Sequence, residues 1–122
     1  MVKTKIKNLL TSIDVLQYIS EQKLPIRTSY NIAKLIQSIN EELRTYDSSK
    51  LSLCKKYGTL NEDGGSYKIH DTESFNKEHD ELLNYDVEFN CDKLVFPDDF
   101  ELTPQQIIAI FDFMKVGDSD DS

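Results

Sequence analysis

The side chains that could do chemistry are few in this chain and lie far apart in the sequence. Its only histidines are His70 and His79, and its only cysteines are Cys54 and Cys91. Two histidines that hold one metal ion from a single helix lie three or four positions apart. His70 and His79 are nine positions apart, with a predicted helix start between them. We therefore predict no metal site, and interpret His79 as a partly buried helix residue.

The two cysteines stand in unlike contexts, and neither has a neighbouring group that would activate a thiolate. Two widely spaced cysteines in an otherwise ordinary composition indicate packed thiols in a reducing compartment. They also supply too few ligands for a metal site at any recognised spacing. We predict two free thiols rather than a disulfide.

Residues 61–66 read NEDGGS, which invites comparison with a calcium-binding loop. The calcium template needs a glycine at its sixth position and a bidentate glutamate at its twelfth. Here those positions hold Ser66 and Thr72. Gly64 and Gly65 also lack the spacing and the lysine of a phosphate-binding loop. Neither motif therefore predicts a ligand, and we predict no cofactor and no small-molecule substrate.

An acidic cluster at Asp98, Asp99 and Glu101 has no histidine or basic residue beside it. Paired carboxylates at that position suit a solvated turn better than acid–base catalysis. The serines likewise have no nearby base in the sequence. The chain is therefore predicted to be non-enzymatic, with no catalytic residues.

The composition is that of one globular domain of 122 residues, with 39% hydrophobic and 30% charged residues. We assign residues 1–116 to a single helical domain and residues 117–122 to a disordered acidic tail. No apolar run approaches the ~20 residues that cross a bilayer. Polar residues interrupt the N-terminal segment at helical spacing and no small-residue cleavage site follows, so no signal peptide is predicted.

Charge is divided unequally along the chain, whose net charge is −8. Residues 1–58 hold ten Lys/Arg and five Asp/Glu, a net charge of +5, and residues 59–122 hold four and seventeen, a net charge of −13. Three interpretations remain open: the halves face each other inside one fold, the acidic residues form solvated surface, or the halves attract head to tail between copies. Direct binding of nucleic acid is not expected from so acidic a chain.

The strongest pattern is a heptad repeat in which steps of four and three alternate from residue 32 to residue 57. Its eight positions are Ile32, Ile36, Ile39, Leu43, Tyr46, Lys50, Leu53 and Tyr57. Such a seam predicts one helix about 40 Å long. We expect a cap at Thr28 or Ser29, a possible kink at residues 47–49, and a positive φ at Gly58 after the helix.

The flanking segments complete a mainly α fold with a small β element. A first helix is predicted over residues 4–21, and a ribbon over residues 59–69 with its turn at Asp63-Gly64-Gly65. The ribbon should lean on the helices through Leu60, Tyr67 and Ile69. A third helix, over residues 72–84 and capped by Asp71, returns along the second with Phe75, His79, Leu82 and Leu83 inward. The chain thus forms a long antiparallel helical hairpin with a β-turn tip, between N-terminal and C-terminal helices.

The C-terminal part begins with a half-buried extended segment over residues 87–91 and ends in a helix that starts at Thr103-Pro104. That helix continues as IIAIFDFM and is apolar on nearly every side, so it is either a central core element or a docking element. The candidate interface residues are Tyr67, Tyr85, Asp98, Asp99, Glu101, Ile107, Ile110, Phe111, Phe113 and Met114.

The pattern of a long charged helix ending in KKYG, then GSYKI, then FNKEHDELLNYDVEF, resembles a family of small uncharacterised proteins of tailed bacteriophages and prophages. ELTPQQIIAI resembles that family's ending, so the likeness spans roughly residues 29–111. The resemblance implies phage origin and, through association with late genes, a role in the virion or its assembly. The apolar IIAIFDFM and the acidic tail depart from the family pattern.

Two functions follow as expectations. One is a structural or assembly protein in a multi-copy virion assembly, at the head–tail connection or in the tail, whose partners are other phage proteins or copies of itself. The other is an accessory protein that inhibits or redirects a host factor through its acidic C-terminal half. The expected location is the virion, or the cytoplasm of the infected bacterium.

Overall fold

The computed structural model describes residues 1–115, so the predicted acidic tail lies outside the described residues. The described chain is mainly helical with two small antiparallel sheets, which confirms the predicted fold class. In chain order the elements are β1 (Val2–Lys5), α1 (Ile6–Ser20), α2 (Ile26–Tyr57), β2 (Gly58–Leu60), β3 (Tyr67–Ile69), α3 (Thr72–Leu83), β4 (Asp86–Phe89), α4 (Pro104–Ile110) and a 3₁₀ turn (Phe111–Phe113).

The predicted long helix is confirmed as α2, which runs without interruption for 32 residues. The kink considered at residues 47–49 is not found, since these residues are helical within α2. On the heptad seam Ile32 and Ile39 are fully buried, and Tyr46 is nearly so. The seam is therefore the inner face of α2.

Two helices cover that seam one after the other. The segment between α1 and α2 is only five residues long, and α1 packs on the N-terminal half of α2 with Leu9, Leu16 and Ile19 fully buried. The C-terminal half of α2 packs against α3, where the Tyr46 hydroxyl and His79 Nε2 are 2.8 Å apart. The antiparallel hairpin of α2 and α3 was predicted, but α3 covers only half of the seam.

The first helix was predicted to begin at residue 4, but residues 2–5 form β1 and α1 begins at Ile6. This strand pairs antiparallel with β4, with Val2 opposite Phe89 and Lys5 opposite Asp86. Val2 and Thr4 point into the core while Lys3 is exposed, which is the alternation of a half-buried strand. The extended segment at Val87 and Phe89 was predicted, but its pairing partner lies more than 80 residues away and gives no local signal.

Two details at the ends of α2 differ from expectation. The helix begins after Pro25 rather than at Thr28 or Ser29, because both hydroxyls donate to carbonyl groups instead of accepting from the backbone. Gly58 has an extended backbone with φ of −146°, not a positive φ. Glycine is needed there for close approach, since a Cβ would lie 2.6 Å from the Lys68 carbonyl oxygen.

The ribbon of β2 and β3 forms as predicted, with Gly64 in its turn at φ of +74°. Tyr67 and Ile69 are half-buried, but Leu60 is 51% exposed, so the prediction that Leu60 leans on the helices is wrong. Leu60 is the residue of β2 farthest along the chain from α2. Asp71 caps α3 as predicted by accepting from the Ser74 amide at 3.1 Å, a hydrogen bond that lowers the pKa of the Asp71 carboxyl.

Replacing Ile39 by alanine tests the buried seam. Ile39 is 0% exposed, so removing its side chain should lower the free energy of unfolding by about 2–5 kcal/mol. Leu51 lies in the same helix and is 44% exposed, and Leu51→Ala should change stability by no more than about 0.5 kcal/mol. Chemical denaturation of both variants measures the difference, and equal losses would contradict the assigned inner face.

Candidate interaction surfaces

The start of α4 is defined by a reciprocal pair of hydrogen bonds. The Thr103 hydroxyl accepts from the Gln106 amide at 3.2 Å, and the Gln106 side chain accepts from the Thr103 amide at 2.9 Å. Pro104 occupies the first helical position, where its missing N–H costs nothing. This confirms the predicted helix start. The predicted single helix instead ends at Ile110, and a 3₁₀ turn follows it.

The inner face of this C-terminal segment belongs to the core of the molecule. Ile110 is 0% exposed and Phe113 is 1% exposed, and the Phe113 ring meets the Phe89 ring edge-on at 5.7 Å between centroids. The Leu94 amide donates to the Phe113 carbonyl at 2.7 Å. Ile110 and Phe113 were named as candidate interface residues, and their burial leaves neither of them accessible to a partner.

Polar contacts fix which side of α4 faces α1. The buried Ser12 hydroxyl lies within hydrogen-bond distance of the Asn8 and Ala109 carbonyl oxygens, to which it donates. The Thr4 hydroxyl donates to Asp112 Oδ2 at 2.7 Å and accepts from the Asn8 side-chain amide at 3.1 Å. Because these groups are partly buried, the hydrogen bonds hold the segment in one orientation.

That orientation turns two large apolar side chains outward. Ile108 is 75% exposed and Phe111 is 55% exposed, and both line a groove together with Asn8, Thr11, Ala109 and Asp112. We call Ile108 and Phe111 the C-terminal surface. Phe111 was predicted from the sequence, but Ile108 was missed. Once Ile110 and Phe113 are known to point inward, helical spacing places Ile108 and Phe111 on the outside.

The other apolar candidates are distributed as follows. Ile107 and Met114 are half-buried, and Met114 packs against the core and forms an isolated parallel bridge with Leu94. Tyr67 is half-buried in the ribbon. Tyr85 follows α3 and is 64% exposed, at the mouth of a groove between α2 and α3. The structure therefore does not gather the sequence-predicted residues into one surface.

The acidic candidate residues lie in a turn that also contains two stacked phenylalanines. Asp98, Asp99 and Glu101 are all exposed. Below them the rings of Phe96 and Phe100 stack at 5.2 Å between centroids, and the Phe100 amide donates to the Pro97 carbonyl at 3.0 Å. None of the three carboxylates takes part in an ion pair within residues 1–115. They form a fixed patch of negative charge.

The ion pairs of the described chain all join its basic first half to its acidic second half. Lys3 and Lys5 lie 3.9 and 3.1 Å from Asp86, and Lys56 lies 3.2 Å from Glu78. Glu78 also accepts from the Tyr57 hydroxyl, and this hydrogen bond together with Lys56 lowers the pKa of Glu78. These ion pairs within one molecule therefore neutralise part of the charge difference between the two halves of the sequence.

The groups with potential chemistry have structural partners. His79 contacts Tyr46, and burial raises the pKa of the Tyr46 hydroxyl, with Asp47 adding to the effect. Both cysteines are free thiols, and burial raises the pKa of Cys91. Within the described residues no three His, Cys, Asp or Glu side chains are arranged to hold a metal ion, and no helix is long and apolar enough to span a membrane.

A double-mutant cycle on Thr4→Val and Asp112→Ala tests how the C-terminal surface is held. Each substitution should destabilise the protein, with a coupling energy of about 1 kcal/mol, because Thr4 donates to a charged acceptor in a partly buried site. Denaturation of the four proteins measures the coupling. Amide exchange of residues 108–113 should also quicken in each single variant, and additive effects would contradict the contact.

Comparison of the chain with protein-family models, with curated proteins and with solved structures found no match. The resemblance to phage proteins therefore stays a prediction from the sequence. The function has to be inferred from the surfaces described above.

Proposed function

We propose that the chain is a non-enzymatic bacteriophage structural or assembly protein that acts through protein–protein contacts in a multi-copy virion assembly. The observation that carries this proposal is the C-terminal surface, where Ile108 and Phe111 are 75% and 55% exposed. Covering one such side chain contributes about 1.5–3 kcal/mol. Two of them that line the same groove form the kind of apolar anchor on which interfaces depend.

The anchoring of the C-terminal surface adds to this support. Ile110 and Phe113, which alternate with the exposed pair along the segment, are buried in the core. Thr4 holds Asp112 between them by a hydrogen bond of 2.7 Å. The backbone that carries Ile108 and Phe111 is therefore already ordered, so association carries less of the entropy cost of ordering this segment.

The phage assignment rests on the sequence resemblance over residues 29–111. The partners would be other phage proteins, copies of this chain, or both, at the head–tail connection or in the tail. The protein would reside in the virion, or in the cytoplasm of the infected bacterium while particles form.

Mass spectrometry of purified particles tests this proposal. The wild-type chain should be present, and Ile108→Ser/Phe111→Ser should reduce its incorporation at least tenfold, since a buried anchor would lose about 1.4 kcal/mol or more. Leu51→Ser and Leu60→Ser together are the matched control, because these residues are 44% and 51% exposed on other surfaces. Absence of the wild-type chain from both purified particles and their assembly intermediates would overturn the proposal, as would equal incorporation of both double variants.

The acidic turn supports a second candidate function, an accessory protein that binds a host factor. Asp98, Asp99 and Glu101 present three exposed carboxylates on a base fixed by stacked phenylalanines. Such a patch would attract a basic partner surface and would do so less strongly at high salt.

Affinity capture from host lysate distinguishes this second function. Asp98→Asn/Asp99→Asn/Glu101→Gln should abolish capture of a basic partner, because it removes the attracting charges. A control that neutralises the exposed residues Asp14, Glu21 and Glu41 removes the same charge elsewhere and should leave capture intact. Capture that persists in 0.5 M salt, or that both triple variants lose equally, would count against the acidic turn as the binding site.

A further inference from the structure

The N-terminal turns of α2 carry an exposed surface that is both apolar and basic. Ile26 is 85% exposed and Tyr30, one turn later, is 62% exposed. Arg27 and Lys34 are exposed beside them, and the Lys34 ammonium lies 5.5 Å from the centre of the Tyr30 ring. A cation over an aromatic face stabilises the orientation of both side chains. We call these four residues the N-terminal face.

The distal half of the hairpin carries a surface of the opposite charge. A groove of about 370 Å³ runs between α2 and α3, with Leu53 and Leu82 among the residues that line it. Its other walls include Glu78, Glu81 and the 64% exposed Tyr85. We call it the hairpin groove. Among the helices of residues 1–115, α3 alone covers this half of α2, and α3 has no fully buried residue, so the groove stays open.

The two surfaces cannot meet within one molecule. Ile26 and Leu53 lie 27 positions apart in the same uninterrupted helix, which corresponds to about 40 Å along the axis. At 3.6 residues per turn that interval is about seven and a half turns, so the two residues point to opposite sides of α2. Each molecule therefore offers one surface of each kind, at opposite ends.

We propose that copies of this chain associate head to tail, with the N-terminal face of one copy seated in the hairpin groove of the next. Ile26 and Tyr30 supply two apolar side chains for a groove lined by Leu53 and Leu82. Arg27 and Lys34 supply positive charge, which would pair with Glu81, an exposed carboxylate of the groove. The inference rests on the proposed function, because it identifies the contact between copies in a multi-copy assembly.

A second copy is a suitable occupant of the hairpin groove because this chain carries a surface that complements the groove in both hydrophobicity and charge. The groove needs a partner with apolar anchors and positive charge. The N-terminal face has both, and the first turn of α2 holds no acidic residue that would oppose them. A contact between two different surfaces is heterologous, so repetition gives a ring or an open chain of copies rather than a closed dimer.

Sedimentation velocity of the full-length protein in low salt, with two blocked variants, tests the inference. Ile26→Glu/Arg27→Glu blocks the N-terminal face. It should not lower the Tm, because acidic residues in the first turn favour a helix. Glu81→Lys/Tyr85→Ala blocks the groove at two exposed side chains. Each variant alone should associate at least tenfold more weakly than wild type and sediment as a monomer.

An equimolar mixture of the two blocked variants gives the deciding result. The first variant keeps an intact groove and the second keeps an intact N-terminal face, so the mixture should form dimers and nothing larger. Leu60→Glu/Lys68→Glu is the matched control for the N-terminal variant. It replaces an exposed leucine and an exposed lysine of the ribbon, and it should associate like wild type.

Three outcomes would overturn head-to-tail association. These are a wild-type protein that stays monomeric at millimolar concentration in low salt, blocked variants that still associate when alone, and a mixture that stays monomeric. A monomeric chain that is nevertheless found in purified particles would overturn this contact and leave the proposed function standing. A chain that associates head to tail but is absent from particles and from their assembly intermediates would overturn the proposed function and leave this contact standing.

Discussion

The fold depends on one constraint, which is that the apolar seam of α2 is longer than any other helix of the described chain. The seam belongs to a helix of 32 residues, whereas α1 has 15 residues and α3 has 12. The seam is therefore covered by two helices in tandem. The β1–β4 pair lies where they meet, and there the Ile6 amide donates to the Tyr85 carbonyl at 3.1 Å. Burial of apolar surface along this line is the main stabilising contribution.

The two halves of the seam have different surroundings, and the surfaces of the molecule follow from that difference. Around the first half, α1, α4 and the β1–β4 pair close a core in which Leu9, Ile32 and Ile110 are fully inaccessible. Within residues 1–115 the second half is covered by α3 and the small ribbon alone, so its apolar residues beyond Tyr46 remain partly in water. Beside the first half, Ile108 and Phe111 are exposed because they lie on the outer side of the C-terminal segment. Along the second half, the hairpin groove remains between α2 and α3.

Local patterns predicted the helical elements well because their signals are contained within a few turns. The heptad from Ile32 to Tyr57, the cap at Asp71 and the Thr103 capping box each needed no distant partner. Strand β1 was missed because its pairing partner β4 is supplied from the far end of the sequence. Ile108 was missed for a related reason. Its exposure depends on how α4 is oriented on α1, and hydrogen bonds from the Ser12 and Thr4 hydroxyls hold that orientation.

Amide hydrogen exchange along α2, measured by NMR at neutral pH, tests the tandem covering of one continuous helix most directly. Protection should run unbroken from residue 30 to residue 57, be strongest around Ile39, and fall to a lower but still protected level beyond Tyr46, where only α3 packs. Exchange at unprotected rates at Asp47–Ser49 would contradict the account. It would mean that α2 is two separate helices and that no single seam organises the fold.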